Sequence, residues 1–86
     1  MFTGIIEELG HVVAIDNDGG NTHFKIKANM ASELKIDQSL AHDGCCLTVV
    51  HIEEDQYVVT AIQETLKRTA LGKWEVGTAV NLERCM

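Results

Sequence analysis

What most constrains this chain is a succession of period-two segments. Residues 4–15, 22–28, 39–41, 45–52 and 57–62 are rich in β-branched and apolar side chains, and 79–82 adds a short sixth. Alternation of this kind marks strands with one face turned to a core. Six strands in 86 residues predict a single all-β domain over residues 1–86, a small antiparallel barrel or a sandwich, with no room for a second domain. The links have their own chemistry. Asp16-Asn17-Asp18-Gly19-Gly20 supplies residues that tolerate positive φ between the first two strands, and Glu53-Glu54-Asp55-Gln56 is a polar link between the fourth and fifth, so both read as hairpins.

Two segments have helical spacing. Asn29-Met30-Ala31-Ser32-Glu33-Leu34 is short, with Asn29 at the N-cap position. Residues 64–71 put Leu66, Thr69 and Ala70 on one face and set Glu64 four residues before Arg68, and Gly72 falls where a C-terminal cap belongs.

Composition removes several classes of function. With 45% hydrophobic and 23% charged residues and no repetitive tract, the chain reads as a folded globular domain rather than a disordered segment. Thirteen acidic against seven basic side chains leave a net charge of -6, and the Lys and Arg residues are scattered, which argues against a nucleic-acid partner. The opening MFTGIIEELG has no basic leader and no apolar run of membrane-spanning length, so the expected setting is the cytoplasm, with no membrane partner. Cys45 and Cys46 are neighbours and point to opposite faces of a strand, so with Cys85 they form no natural disulfide framework and no metal site is expected, even though His42 and His51 flank the pair.

The fourth segment is the most informative. Alternation puts Cys45, Leu47, Val49 and His51 on one face and Cys46, Thr48, Val50 and Ile52 on the other, so neither face reads as plainly solvent-facing. In a single small barrel such a strand needs an outer cover, which is a ligand, a second barrel or both.

The motifs resemble those of the riboflavin synthase family from end to end. Met1-Phe2-Thr3-Gly4-Ile5 is similar to that family's opening, and Ala41-His42-Asp43-Gly44-Cys45-Cys46-Leu47-Thr48-Val49 to its central strand. Glu64-Thr65-Leu66 with Arg68-Thr69 and Leu71-Gly72 is similar to its helix, and Val80-Asn81-Leu82-Glu83-Arg84 to the close of its first barrel. The resemblance implies a six-stranded Greek-key barrel, the first of two in tandem. It also implies a reaction in which two molecules of 6,7-dimethyl-8-ribityllumazine exchange a four-carbon unit, giving riboflavin and a ribitylaminopyrimidinedione with no added cofactor. The sequence stops at Met86, where the family pattern continues into a second barrel. A homodimer is therefore expected for this chain alone, and a homotrimer for a full-length family enzyme.

By the same resemblance, backbone groups of Gly4, Ile5 and Ile6, of Cys46, Leu47 and Thr48, and of Thr60, Ala61, Ile62, Gln63, Glu64 and Thr65 hold the ligand's ring. An imide edge alternates donors and acceptors as a neighbouring strand does, so backbone suits it; ordinary strand packing is the competing explanation. The resemblance implies that Cys46, Ser39, Asn81 and Phe2 stand near the reacting atoms. Each has a local alternative: Cys46 as a small buried hydrophobe, Ser39 and Asn81 as strand-end residues, Phe2 as a plug under the barrel. The hydroxyls of Thr48 and Thr65 and the Glu64 carboxylate suit a ribityl chain, yet Thr65 also fits a helix cap and Glu64 a pair with Arg68. The reaction requires a base for a ring-methyl proton. His42 lies in a motif beside the Asp43-Gly44 turn, where turn packing explains it equally well, and His11, His23 and His51 lie outside the motifs and read as surface or strand residues. Trp74 reads as an anchor for the link from helix to strand rather than a flavin stack. A non-catalytic module similar to the lumazine proteins is the alternative to an enzyme barrel. Those relatives tend to lose the polar set that Cys46, Ser39 and Asn81 represent here.

Overall fold

The computed structural model describes residues 8–68 and 70–84. Six antiparallel strands, β1 (Glu8–Asp18), β2 (Asn21–Lys27), β3 (Ser39–His42), β4 (Cys45–Glu53), β5 (Gln56–Ala61) and β6 (Ala79–Arg84), close into a barrel in the order β1-β2-β5-β4-β3-β6. The expected barrel is thus observed, with β1 running three residues beyond its expected end. The β1–β2 turn tightens to Gly19-Gly20, both at positive φ, and the β4–β5 turn to Glu54-Asp55. Among the described residues no helix is long and apolar enough to cross a membrane.

Inward positions follow the alternation. Val12, Phe24, Ile26, Leu40, Leu47, Val49, Tyr57, Val59, Val80 and Leu82 fill the barrel. The expected alternation of β4 holds as far as Val49 and is then interrupted by a bulge. The register slips between Val49 and His51, so Val50 is extra, and beyond it Ile52 turns inward while His51 turns out. Cys46, Thr48 and Val50 are all exposed. Regular alternation missed this because one inserted residue inverts every later position.

The barrel repeats itself. A matching slip lies between Val12 and Ala14 in β1. Val12 exchanges backbone hydrogen bonds with Gly77 and Thr78, at 2.7 and 3.0 Å, just as Val49 does with Asp37 and Gln38, at 2.8 and 2.9 Å. The side chains of Gln38 and Thr78 also accept from the backbone N–H of Lys35 and Glu75, each at 2.9 Å. The two halves, β1-β2-β3 and β4-β5-β6, are therefore related by a pseudo-twofold.

The segments joining β2 to β3 and β5 to β6 depart from expectation. The first is a 3-10 helix, Asn29–Glu33, whose N-cap is Ala28 rather than Asn29 and which has no cap from its own side chains. Its leading N–H groups, on Asn29 and Met30, instead donate to the Glu8 carboxylate at 2.5 and 2.9 Å. The second is not one helix but two pieces, α1 (Gln63–Arg68) and a 3-10 helix, Ala70–Lys73. Gly72 sits inside the second piece and is not a left-handed cap. A Cβ there would stand 2.8 Å from the Leu66 carbonyl oxygen, so glycine is required for close approach.

A polar pair, His42 and Tyr57, is sealed in the core. His42, placed by its sequence position beside a turn, points inward and is fully buried. Its Nδ1 lies 2.9 Å from the Leu40 carbonyl and its Nε2 2.8 Å from the Tyr57 hydroxyl. A carbonyl only accepts, so Nδ1 carries the proton and Nε2 accepts from Tyr57. Burial lowers the His42 pKa from 6.5 to about 4, against smaller opposing effects of the Leu40 carbonyl and Asp43. Burial, reinforced by Glu8, pushes the Tyr57 phenol upward. Because the folded His42 binds its proton more weakly than the unfolded chain does, its contribution to stability is full above pH 6.5 and is lost as pH falls toward about 4. The loss amounts to about 3 kcal/mol at most. Urea melts across this interval are expected to show that slope in the unchanged chain and a shallower one in His42→Gln.

Candidate functional site

On its β4–β5 side the barrel has an open seam. The two strands pair at Glu53–Gln56, Ile52–Tyr57, His51–Val58 and Val49–Val59, and there the ladder stops, although β4 starts at Cys45 and β5 ends at Ala61. Both strands remain paired on their far sides, β4 to β3 through Cys45 and β5 to β2 through Ala61. Val49 directs its own N–H and C=O toward Asp37 and Gln38 on the β3 side. Alternation then turns the backbone groups of Thr48 and Cys46 into the seam and those of Leu47 back to β3.

The structure brings most of the described candidate residues to this seam. Cys46 and Thr48 border it with exposed side chains, and Leu47 between them faces the core. Across it stand Thr60, half-buried, and Ala61, whose side chain is buried, followed by Ile62, 54% exposed. Gln63 and Glu64 open α1 and are exposed; Thr65, one residue on, is half-buried. Ser39 is the β3 partner of Thr48 and joins it on the outer face. Asn81 lies on the same face but on β6, beyond β3, with its backbone held by Asp43 in a pair of 2.8 Å hydrogen bonds. Ser39, Thr48 and Cys46 thus cluster, and Asn81 stands apart from Cys46 by the width of β3. Phe2, Gly4, Ile5 and Ile6 lie outside the described residues, as does the side chain of Arg68.

Of the histidines, His42 is sealed away from this face, whereas His23 reaches it: its Nδ1 is 2.7 Å from Thr60 Oγ1. No sequence signal announces that contact, because the two residues meet only through strand pairing. Trp74 packs edge-on against Phe24, with ring centroids 4.9 Å apart at 71°. Both rings line an open cavity of about 370 Å3 together with Leu66 of α1.

A closed six-stranded barrel whose fourth and fifth strands, among the described residues, lose their pairing beyond Val49–Val59 has the form of a small-ligand binding domain. Residues 3–85 match the family profile described as Lumazine binding domain, and the chain belongs to that family. It is homologous to riboflavin synthase. The enzyme of Photobacterium phosphoreum is 42% identical over 88 residues, covering 100% of this chain and 40% of that protein, and the enzyme of Bacillus amyloliquefaciens is 40% identical over 87 residues with the same coverage. The crystal structure of LumP complexed with 6,7-dimethyl-8-(1'-D-ribityl) lumazine superposes with a TM-score of 0.91 at 28% identity, over 99% of this chain and 49% of that one. The chain therefore spans less than half the length of these relatives.

The two adjacent thiols offer a direct check on this geometry. Cys46 is exposed, whereas Cys45 is partly buried and its thiol pKa is raised by burial first and by Cys46 second. Thiolate fraction and access together set alkylation rates. Iodoacetamide followed by fragment mass spectrometry is expected to find Cys46 modified first, several-fold ahead of Cys45. Faster labelling of Cys45 would contradict the outward placement of Cys46.

Proposed function

We propose that this chain is a substrate-binding barrel of riboflavin synthase, holding 6,7-dimethyl-8-ribityllumazine or riboflavin in the β4–β5 seam. The observation that carries the reading is the parting of the two strands beyond Val49–Val59. It leaves backbone donors and acceptors of Cys46 and Thr48 facing the segment 60–65, and a ring with an imide edge satisfies them as an added strand would. Thr48, Thr65 and Glu64 supply hydroxyls and a carboxylate for the ribityl chain. Cys46 shapes and polarises the pocket by position, with Ser39 beside it and Asn81 further along the same face. Gly4, Ile5 and Ile6 complete the cradle, and Phe2 packs at its edge.

In the parent reaction two such ligands exchange a four-carbon unit, and the lumazine is substrate, so the domain carries no cofactor of its own. The exposed thiol of Cys46 fits a reducing cytoplasm. Val50 leaves a large apolar side chain on the outer face of β4, 44% exposed. We read it as part of a contact for a homologous barrel, supplied in a full-length homotrimeric enzyme by the tandem repeat and here by a second copy in a homodimer. A homodimer duplicates one set of polar side chains and lacks the second barrel's different set, so the isolated chain is expected to be nearly inactive.

Riboflavin fluorescence should be quenched or shifted on titration with the protein, and lumiflavin, which lacks the ribityl tail, should bind more weakly. No spectral change at high protein concentration would overturn the proposal; equal affinity for lumiflavin would remove the ribityl roles of Thr48, Glu64 and Thr65. Light scattering should report a dimer at micromolar concentration, with riboflavin formation barely above background. Rapid turnover by this chain alone would show that one barrel carries the whole catalytic set, and a strict monomer that binds ligand would remove the dimer.

A further inference from the structure

The pseudo-twofold breaks at the cavity of about 370 Å3 that Phe24 and Trp74 line. In register, Ile15–Phe24 on β1 and β2 corresponds to Ile52–Tyr57 on β4 and β5, and Asp16–His23 to Glu53–Gln56. The second hairpin turns there, but the first continues for two more rungs, Asn17–Thr22 and Asp18–Asn21. The other addition is α1, which the link from β2 to β3 lacks. The cavity lies between these two additions. Asn17 and Thr22 of the extra rungs and Leu66 of α1 line it together with Ile15, Phe24 and Trp74.

We propose that this cavity is a second ligand site, separate from the seam, for a small neutral planar aromatic molecule that carries an amide edge. Its size, its walls and its polar groups each point to that class. A cavity of about 150 Å3 already takes benzene, and small-molecule sites begin at about 300 Å3. Phe24 and Trp74 are buried and meet at 71°, a corner whose faces and edges suit a flat ring. Among the described residues no charged side chain lines the space, so an ion entering it would lose water without gaining a partner. At the first extra rung the Thr22 hydroxyl donates to Asn17 Oδ1 at 2.9 Å. Thr22 then keeps lone pairs and Asn17 keeps its amide N–H groups, which sets an acceptor beside donors, the complement of a carboxamide. The inference stands independently of the seam as a flavin site, because no residue named for the seam lines this cavity.

Trp74 is the single tryptophan of the chain, so its emission reports on the cavity directly. The test titrates benzamide, which is neutral and planar, into the unchanged chain, and in parallel benzoate, a charged molecule of the same shape. Benzamide is expected to quench or shift Trp74 emission saturably, with a Kd of about 1 mM, and benzoate to bind at least about tenfold more weakly. Ile15→Phe and Leu66→Phe fill the space from β1 and from α1, and each is expected to weaken benzamide binding by about tenfold or more. Asn17→Ala removes the donors at an exposed position and is expected to weaken it about fivefold, the size of one neutral hydrogen bond.

Thermal melts establish which variants are folded. A response of the unchanged chain that does not saturate overturns the site, as does undiminished affinity in a folded filling variant. Benzoate binding as tightly as benzamide overturns the neutral class. Should neither filling variant fold, Asn17→Ala carries the test, and undiminished benzamide affinity there overturns the proposal.

Discussion

Closure of six strands is the constraint on which the rest of this structure depends. So few strands must bend sharply to meet, and the bending is concentrated at the bulges next to Val12 and Val49, where an extra residue raises the local twist. Each of these valines is held from outside by a loop, at Gly77-Thr78 and at Asp37-Gln38. The loops thus act as short extra rungs where a strand turns away from its neighbour, and the backbone groups freed by the bend are satisfied rather than buried unpaired. β3 and β6 then complete the cylinder through Leu40–Arg84, Ala41–Glu83 and His42–Leu82.

The core is organised around the same closure. His42 enters from the closing strand and reaches Tyr57 on β5, so a hydrogen bond crosses the barrel interior from one sheet segment to another. A neutral imidazole there satisfies both Leu40 and Tyr57, and among the described residues no buried side-chain nitrogen or oxygen is left without a partner. The cost of this arrangement is sensitivity to acid, because the unfolded chain accepts a proton on His42 that the folded one resists.

Local patterns were legible and long-range ones were not. Period two located every strand, and glycine or acidic turn residues located the hairpins, because those signals lie within a few residues of the structure they specify. The bulge at Val50 was hidden: Val49-Val50-His51-Ile52 reads equally well as regular alternation. Asn29 holds a cap position in the sequence, but the N-cap is Ala28 and the leading N–H groups are taken by the Glu8 carboxylate, brought alongside only by the fold. Gly72 stands in the sequence where a helix would end, whereas its role is defined by the Leu66 carbonyl it approaches. The motif residues were legible as a set, and the strand registers supply what motifs lack: Ser39 belongs with Thr48, Asn81 does not adjoin Cys46, and Thr60 belongs with His23.

The pseudo-twofold sharpens the question of why the described barrel opens where it does, since each half has the strands to form a seam. In the first half, β1 and β2 continue one rung beyond Val12–Ile26, to His11–Lys27. Just past that rung the Glu8 carboxylate takes the N–H groups of Asn29 and Met30, so the end of β2 is tied back to the start of β1. In the second half the corresponding pair is Val49–Val59, and the ladder ends on it. The residue that opens β4 there is Cys45, a thiol too short and too weak an acceptor to gather two backbone N–H groups as a carboxylate does. The link that follows is also longer, with α1 inserted ahead of the 3-10 helix that both halves share. One half therefore spends its strand ends on its own chain, and the other leaves them at the surface. A symmetric plan with a carboxylate on one side and a longer link on the other gives the barrel one open seam among its described residues.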